Sequence, residues 1–251
     1  MRSLRAVLAG AVLLAGCSSA AAPPPAPSPP TPSAPPTQSA QPTQPVQPTR
    51  SATPLASAIS ATGAPGTARV DVRILTSVGG LEDELTASGI TAFATGDADL
   101  TWQGSAGTSR EVTVDGTSAL QLEPPDGEWI AVPEGTWIPT LAAGQPLRGL
   151  ADLQDVRDDG GERLDGIEVT RLIGSLPAAG NLGGLGINEL AAKAVESDPG
   201  ARIDVTVWID GTGRIVRIMR TIASTTDVQA SATTDLREFG VAAQIRDPLT
   251  R

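Results

Sequence analysis

The sequence predicts an α+β fold built on one large antiparallel sheet. Three observations predict it. Short stretches alternate apolar and polar residues with a period of two, most clearly Val70-Asp71-Val72-Arg73-Ile74 and Ile203-Asp204-Val205-Thr206-Val207. Glycine-rich turn signals recur between such stretches, as at Asp115-Gly116 and Gly211-Thr212-Gly213. Few segments carry helical spacing, and no alternation of strand and helix indicates a parallel sheet.

The elements follow in order. Leu55 to Ala61 reads as a short helix, and Ala68 to Leu75 as a strand with one buried face. Leu81 to Ala87 is polar and reads as a turn of helix or a loop. Ile90 to Trp102 reads as strand, interrupted near Gly96-Asp97. Glu111 to Val114 and Ser118 to Leu122 flank Asp115-Gly116 as a hairpin. Pro124 to Gly127 is a further turn before a strand from Trp129 to Val132. Pro146 to Leu153 reads as a short helix with Pro146 near its first turn.

Asp158-Asp159-Gly160-Gly161 is expected to turn the chain, and Arg163 to Ile173 to follow as a strand bent at Gly166. Asn181 to Gly186 reads as a flexible glycine-rich segment. Ile187, Leu190, Ala191, Ala194 and Val195 then recur at helical spacing, with Asn188 as candidate cap and Asp198-Pro199-Gly200 as the stop. Three antiparallel strands are expected over Ile203 to Ile209, Arg214 to Ile222 and Asp227 to Leu236, and a further short one over Val241 to Ile245. Trp208 alternates away from Val205 and Val207, which puts it on the opposite face, toward the helices.

Composition removes several chemistries. There is no histidine and no tyrosine in 251 residues, and Cys17 is the one cysteine. Histidine triads, imidazole acid–base work and histidine metal ligands are therefore excluded. The acidic residues cluster in apparent turns (Glu82-Asp83-Glu84, Asp97 and Asp99, Asp158-Asp159) and read as solvated loop charges. Asp155, Asp158, Asp159 and Glu162 fail the residue order of a calcium-binding loop. Gly180 to Gly186 lacks the strand-to-helix context of a nucleotide loop. No cofactor or metal is expected. A formal charge of −10 argues against nucleic acid and against electrostatic adhesion to anionic lipid. With 2% aromatic residues, the core must be aliphatic, and such an interior can also line a cavity for alkyl chains.

The first seventeen residues carry the address. Arg2 and Arg5 precede a short apolar run from Ala6 to Leu14, too short to span a bilayer as a helix. Leu14-Ala15-Gly16-Cys17 resembles the lipobox of bacterial lipoproteins. The resemblance implies a signal peptide over 1–16, lipidation of the Cys17 thiol, and acylation of the new amino group. Two or three acyl chains anchor stably, at about 0.8 kcal/mol per buried CH₂. From Ser18 to Thr49 no residue is charged and proline recurs. The stretch 17–54 therefore reads as a polyproline-like tether, at about 3.1 Å per residue when extended. Residues 55–251 are one domain's length.

Three stretches of that domain, in order behind a lipobox, resemble the LppX/LprG-type lipoproteins of actinobacteria. They are Pro146-Leu-Arg-Gly-Leu-Ala-Asp-Leu leading to Arg163-Leu-Asp-Gly-Ile-Glu-Val-Thr; the Val205-Thr-Val-Trp-Ile-Asp-Gly-Thr-Gly-Arg hairpin; and Leu236-Arg-Glu-Phe-Gly-Val. The resemblance implies a strongly curved antiparallel sheet, a half-barrel similar to the LolA carrier fold, with short helices over its concave face. It also implies acyl chains of lipids or glycolipids held between sheet and helices, and no catalysis. The candidate lining is Val70, Val72, Ile74, Leu120, Leu122, Val169, Leu190, Val205 and Val207. The membrane partner is reached through Cys17, and no protein partner is implied. The alternative is an envelope module of the same fold with a filled core that binds protein. The Leu176 to Gly186 loop is either a mobile entrance or a connector.

Overall fold

Two meanders joined edge to edge make the sheet. The computed structural model describes residues 53–140 and 142–250; the expected leader, Cys17 and nearly all of the tether lie outside them. The first meander is β1 (Thr67–Val78), β2 (Leu81–Ala92), β3 (Ala98–Gly104), β4 (Gly107–Val114), β5 (Thr117–Leu122) and β6 (Trp129–Ala131). The second is β7 (Gln154–Leu164), β8 (Ile167–Pro177), β9 (Arg202–Asp210), β10 (Ile215–Ala223) and β11 (Val228–Arg237). β1 pairs with β11, so among the described residues eleven antiparallel strands form one open sheet with β6 and β7 at its edges. The sheet curls strongly into a half-barrel. Two short helices, α1 (Thr53–Gly63) and α2 (Glu189–Glu196), contribute their buried residues to the concave core.

Register separates the two faces. One inner row runs Leu172, Val207, Ile218, Thr234, Val72, Ala87 and Trp102 across seven strands, and all seven are buried. β-Branched and aliphatic side chains suit such a face. Where it curls inward there is less room per residue, and Ala68, Ala87, Ala98, Ala230 and Ala232 supply small buried side chains there. The matching outer row runs Arg171, Trp208, Arg217, Asp235, Asp71, Ser88, Thr101 and Arg110. Ion pairs such as Arg217–Asp235 at 2.5 Å and Arg110–Asp99 at 2.6 Å cover the outside.

Trp208 thus lies on the outer face, away from the helices. Its Nε1 donates to Glu162 Oε1. The sequence expectation had the opposite face right but the helices on the wrong side, because they cover the Val205 face.

Several local expectations change. Leu81 to Ala87 is strand: it is paired residue by residue to β1, and Glu82 and Glu84 have outer-face parity, Glu84 accepting from Arg73 at 2.8 Å. Asp158 to Gly161 does not turn the chain but sits in β7 at a register shift. The turn comes at Asp165-Gly166, with φ of 48° and 90°, so Arg163 to Ile173 spans a hairpin and not one bent strand. The Asp-Gly pair matches the geometry of Asp115-Gly116, at 50° and 78°. Pro146 to Leu153 forms turns and a 3₁₀ turn at Leu150–Asp152 in place of a regular helix. Val241 to Ile245 is not a strand; Thr67 Oγ1 donates to Val241 O at 2.7 Å and ties this segment to the start of β1.

The glycine-rich segment is a plug. Leu182, Leu185 and Ile187 are fully buried in the concave core. Gly186 has φ of 74°, and a Cβ there would fall 2.6 Å from Ile74 Cγ2. Only glycine lets the backbone lie this close to β1 in that conformation. Burial of each large aliphatic side chain contributes about 1.5–3 kcal/mol.

Candidate functional site

The long connection from β6 to β7 crosses the inside of the half-barrel. Thr140 Oγ1 donates to Glu111 Oε2 on β4 at 3.2 Å, while the carbonyls of Pro146 and Arg148 meet Arg220 on β10. Gly186 N donates to Pro139 O at 3.0 Å and Trp137 Nε1 to Ile187 O at 3.0 Å, so this connection and the plug hold each other. Asn188 Oδ1 then caps α2 by accepting from Ala191 N at 2.9 Å, as expected from the sequence.

A cavity of about 230 Å³ remains between the cover and the sheet. Leu176, Arg220, Ala232 and Thr234 form its floor, and Trp137, Ala143 and Leu182 its apolar roof. Its mouth is bordered by the exposed residues Thr136, Arg148, Gly180, Gly183 and Glu196.

Arg220 is an arginine at an inward position, and a β-bulge puts it there. Ile215 pairs with Ile209, but Arg217 pairs with Trp208, so one extra residue enters β10. Strict alternation from Ile215 would aim Arg217 inward; the bulge reverses the parity and sends Ile218, Arg220 and Ile222 in instead. Helix α1 secures the bulge: Thr62 Oγ1 donates to Ala58 O at 2.6 Å and accepts from Ile215 N at 2.8 Å.

The Arg220 Nη2 donates to Pro146 O at 2.7 Å and Arg148 O at 3.1 Å. Protein surrounds the guanidinium, yet a water-sized sphere reaches it through the cavity, so by surface it is half-buried. Burial pushes its pKa down to about 10, which leaves it cationic at neutral pH.

Glu111 is a buried charged group on the same inner face. Its Oε2 accepts from Trp102 Nε1 at 3.1 Å as well as from Thr140. Burial raises its pKa; the hydrogen bonds from Thr140 and Trp102 work against that rise. No group of three or more potential metal ligands occurs among the described residues. Nor is any of their helices long and apolar enough to cross a membrane.

The nine candidate lining residues separate into groups. Val70, Val72, Ile74, Val205 and Val207 are together in the concave core. Leu120 and Leu122 share that face by register, near the β6 edge, where Leu120 is half-buried and Leu122 is 55% exposed. Val169 pairs with Asp210, one residue out of phase with Val207, and is buried on the outer face. Leu190 is 79% exposed, because α2 turns Ala191, Ala192 and Val195 inward. None of the nine borders the 230 Å³ cavity. Sequence reasoning missed Arg220 and Glu111. The signal for Glu111 is strand parity with Thr113; for Arg220 no sequence signal exists without the bulge.

Comparison with known proteins adds the following. A family model described as LppX_LprAFG lipoprotein matches residues 44–245. The crystal structure of lipoprotein LppX from Mycobacterium tuberculosis is similar at 17% identity, over 77% of this chain and 97% of that one, with a TM-score of 0.51. That likeness shows the fold. LprF from Mycobacterium bovis aligns at 15% identity over 78% and 95% of the two chains, with a TM-score of 0.46. No curated protein matches by sequence.

Proposed function

The chain belongs to the LppX_LprAFG lipoprotein family, and from that premise we propose that it is a membrane-anchored envelope protein that takes up acyl chains of a lipid or glycolipid. The anchor in this reading is lipidated Cys17, cleaved from the 1–16 leader, with residues 17–54 as tether and 55–251 as the binding domain on the extracytoplasmic face. Uptake is sequestration without covalent chemistry, driven by about 25 cal/mol per Å² of apolar area removed from water.

The observation that supports it is the cavity between sheet and cover, with Leu176, Leu182, Ala232 and Trp137 in its wall. At about 230 Å³ it is smaller than the roughly 300–1,000 Å³ usual for drug-sized ligands. A larger cargo therefore requires the plug of Leu182 and Leu185 to withdraw, which would open Val70, Val72, Ile74, Val205 and Val207 to the ligand.

Protein purified without its leader, extracted with organic solvent and examined by mass spectrometry, tests this. Co-purified lipid and saturable uptake of a fluorescent fatty-acyl probe are expected. Recovery of no lipid together with no uptake overturns the reading. One observation favours a second reading, an envelope module that binds protein: Leu185 and Ile187 already fill the concave core. Crosslinking in cells that captures a protein partner, with no lipid in the cavity, would select it.

A further inference from the structure

We propose that Arg220 is the recognition site for the anionic head of a single-chain amphiphile, with carboxylate or phosphate oxygens paired to its guanidinium inside the cavity. This rests on the lipid-binding reading and names the chemistry of its ligand.

An arginine on the concave, apolar face of a half-barrel is costly unless something answers its charge. Its neighbours in the row are Val205 and Ala232, which offer none. Its hydrogen-bond partners among the described residues are two backbone carbonyls, both at Nη2. Among the described residues no carboxylate lies within ion-pair distance of Arg220, whereas Arg217, three positions earlier on the outer face, is paired with both Asp235 and Asp165. The two carbonyls orient the guanidinium and leave Nε and Nη1 without hydrogen-bond partners among the described residues, on a side chain that borders open space. A planar fork with free donors is the group best suited to a carboxylate or phosphate.

The surroundings agree with a head-group pocket. Gln145, Asn181 and Thr234 add polar groups around the cavity, and exposed Arg148 and Glu196 also border it. The volume suits a head and the adjoining part of one chain better than the bulk of several chains. The net charge of −10 disfavours non-specific anion binding elsewhere on the surface, so affinity for an anion has to come from a local site.

The experiment compares three ligands on the leaderless protein by isothermal titration: lauric acid, its uncharged methyl ester, and dodecyl phosphate. Wild type should bind an anion about tenfold or more tighter than the ester, the size expected for a hydrogen-bonded charge pair. Preference for lauric acid identifies a carboxylate head, and preference for dodecyl phosphate a phosphate. Arg220→Gln should remove the preference and leave ester binding unchanged. Equal binding of acid, phosphate and ester by wild type overturns the Arg220 proposal while the lipid-binding reading stands. Binding of none of the three overturns both. The wild-type comparison decides even if Arg220→Gln does not fold, and Arg220→Lys, which keeps charge without the fork, should retain only part of the preference.

Discussion

Trp102 donates its indole N–H to the buried carboxyl of Glu111, 3.1 Å away, across the diagonal between β3 and β4. The pair sits on the inner face, and Thr140 from the covering connection completes it at 3.2 Å. One carboxyl thereby joins the sheet to its cover on β4, as Arg220 does on β10.

Burial raises the Glu111 pKa in the folded protein, so the native state holds a proton that the unfolded chain releases. The associated stability is full below the ordinary glutamate pKa and is lost as pH rises through the raised folded value. Glu111→Gln keeps an acceptor for Trp102 and Thr140 without the charge. Its Tm relative to wild type should therefore be higher at pH 7 than at pH 4. Parallel Tm curves across that range would show that Glu111 carries no such linkage. Glu111→Ala, which orphans the indole N–H, should cost about 1–3 kcal/mol in urea unfolding.

Thr62 accepts from the Ile215 amide at the bulge of β10. Thr62→Val leaves that buried amide without its acceptor and should cost about 1–3 kcal/mol, while Thr62→Ser should recover most of it. Urea titrations of the three proteins measure this. Equal midpoints for Val and Ser would remove the hydroxyl from the account of the bulge.

Leu182 and Leu185 are both fully buried, but only Leu182 borders the cavity. Each change to Ala should destabilise by about 2–5 kcal/mol. Leu182→Ala should also widen the cavity and raise uptake of a fluorescent fatty-acyl probe, and Leu182→Trp should lower it. Uptake that is indifferent to residue 182 would place any ligand elsewhere.

Cys17 is the sole thiol of the chain. Wild type expressed in a lipoprotein-processing host should partition into the detergent phase on phase separation, and Cys17→Ser into the aqueous phase. Partition of both into the detergent phase would assign membrane attachment to something other than the lipobox.

The alternating strands β1, β9 and β11, the helix start at Asn188 and the Asp115-Gly116 hairpin are legible in the chain because their signals are local: a period of two, a cap, a turn dipeptide. β2 and β7 are hidden by their charge. Glu84, Asp159 and Glu162 look like loop residues until cross-strand partners Arg73 and Arg171 are in place. The Asp165-Gly166 turn was present in the sequence but was outweighed by Asp158 to Gly161, whose glycines are accommodated in the bulged strand instead.

By itself the sequence determined an α+β chain with an antiparallel sheet, an aliphatic interior and no histidine chemistry, since each follows from composition or from neighbours along the chain. Only the tertiary structure decided that the glycine-rich loop is a buried plug and that Arg220, not Arg217, enters the half-barrel. The first depends on Gly186 meeting Ile74, more than a hundred positions away, and the second on a bulge held by a helix from the other end of the chain. Long-range contacts set which face a side chain occupies, and in a half-barrel that choice separates surface from site.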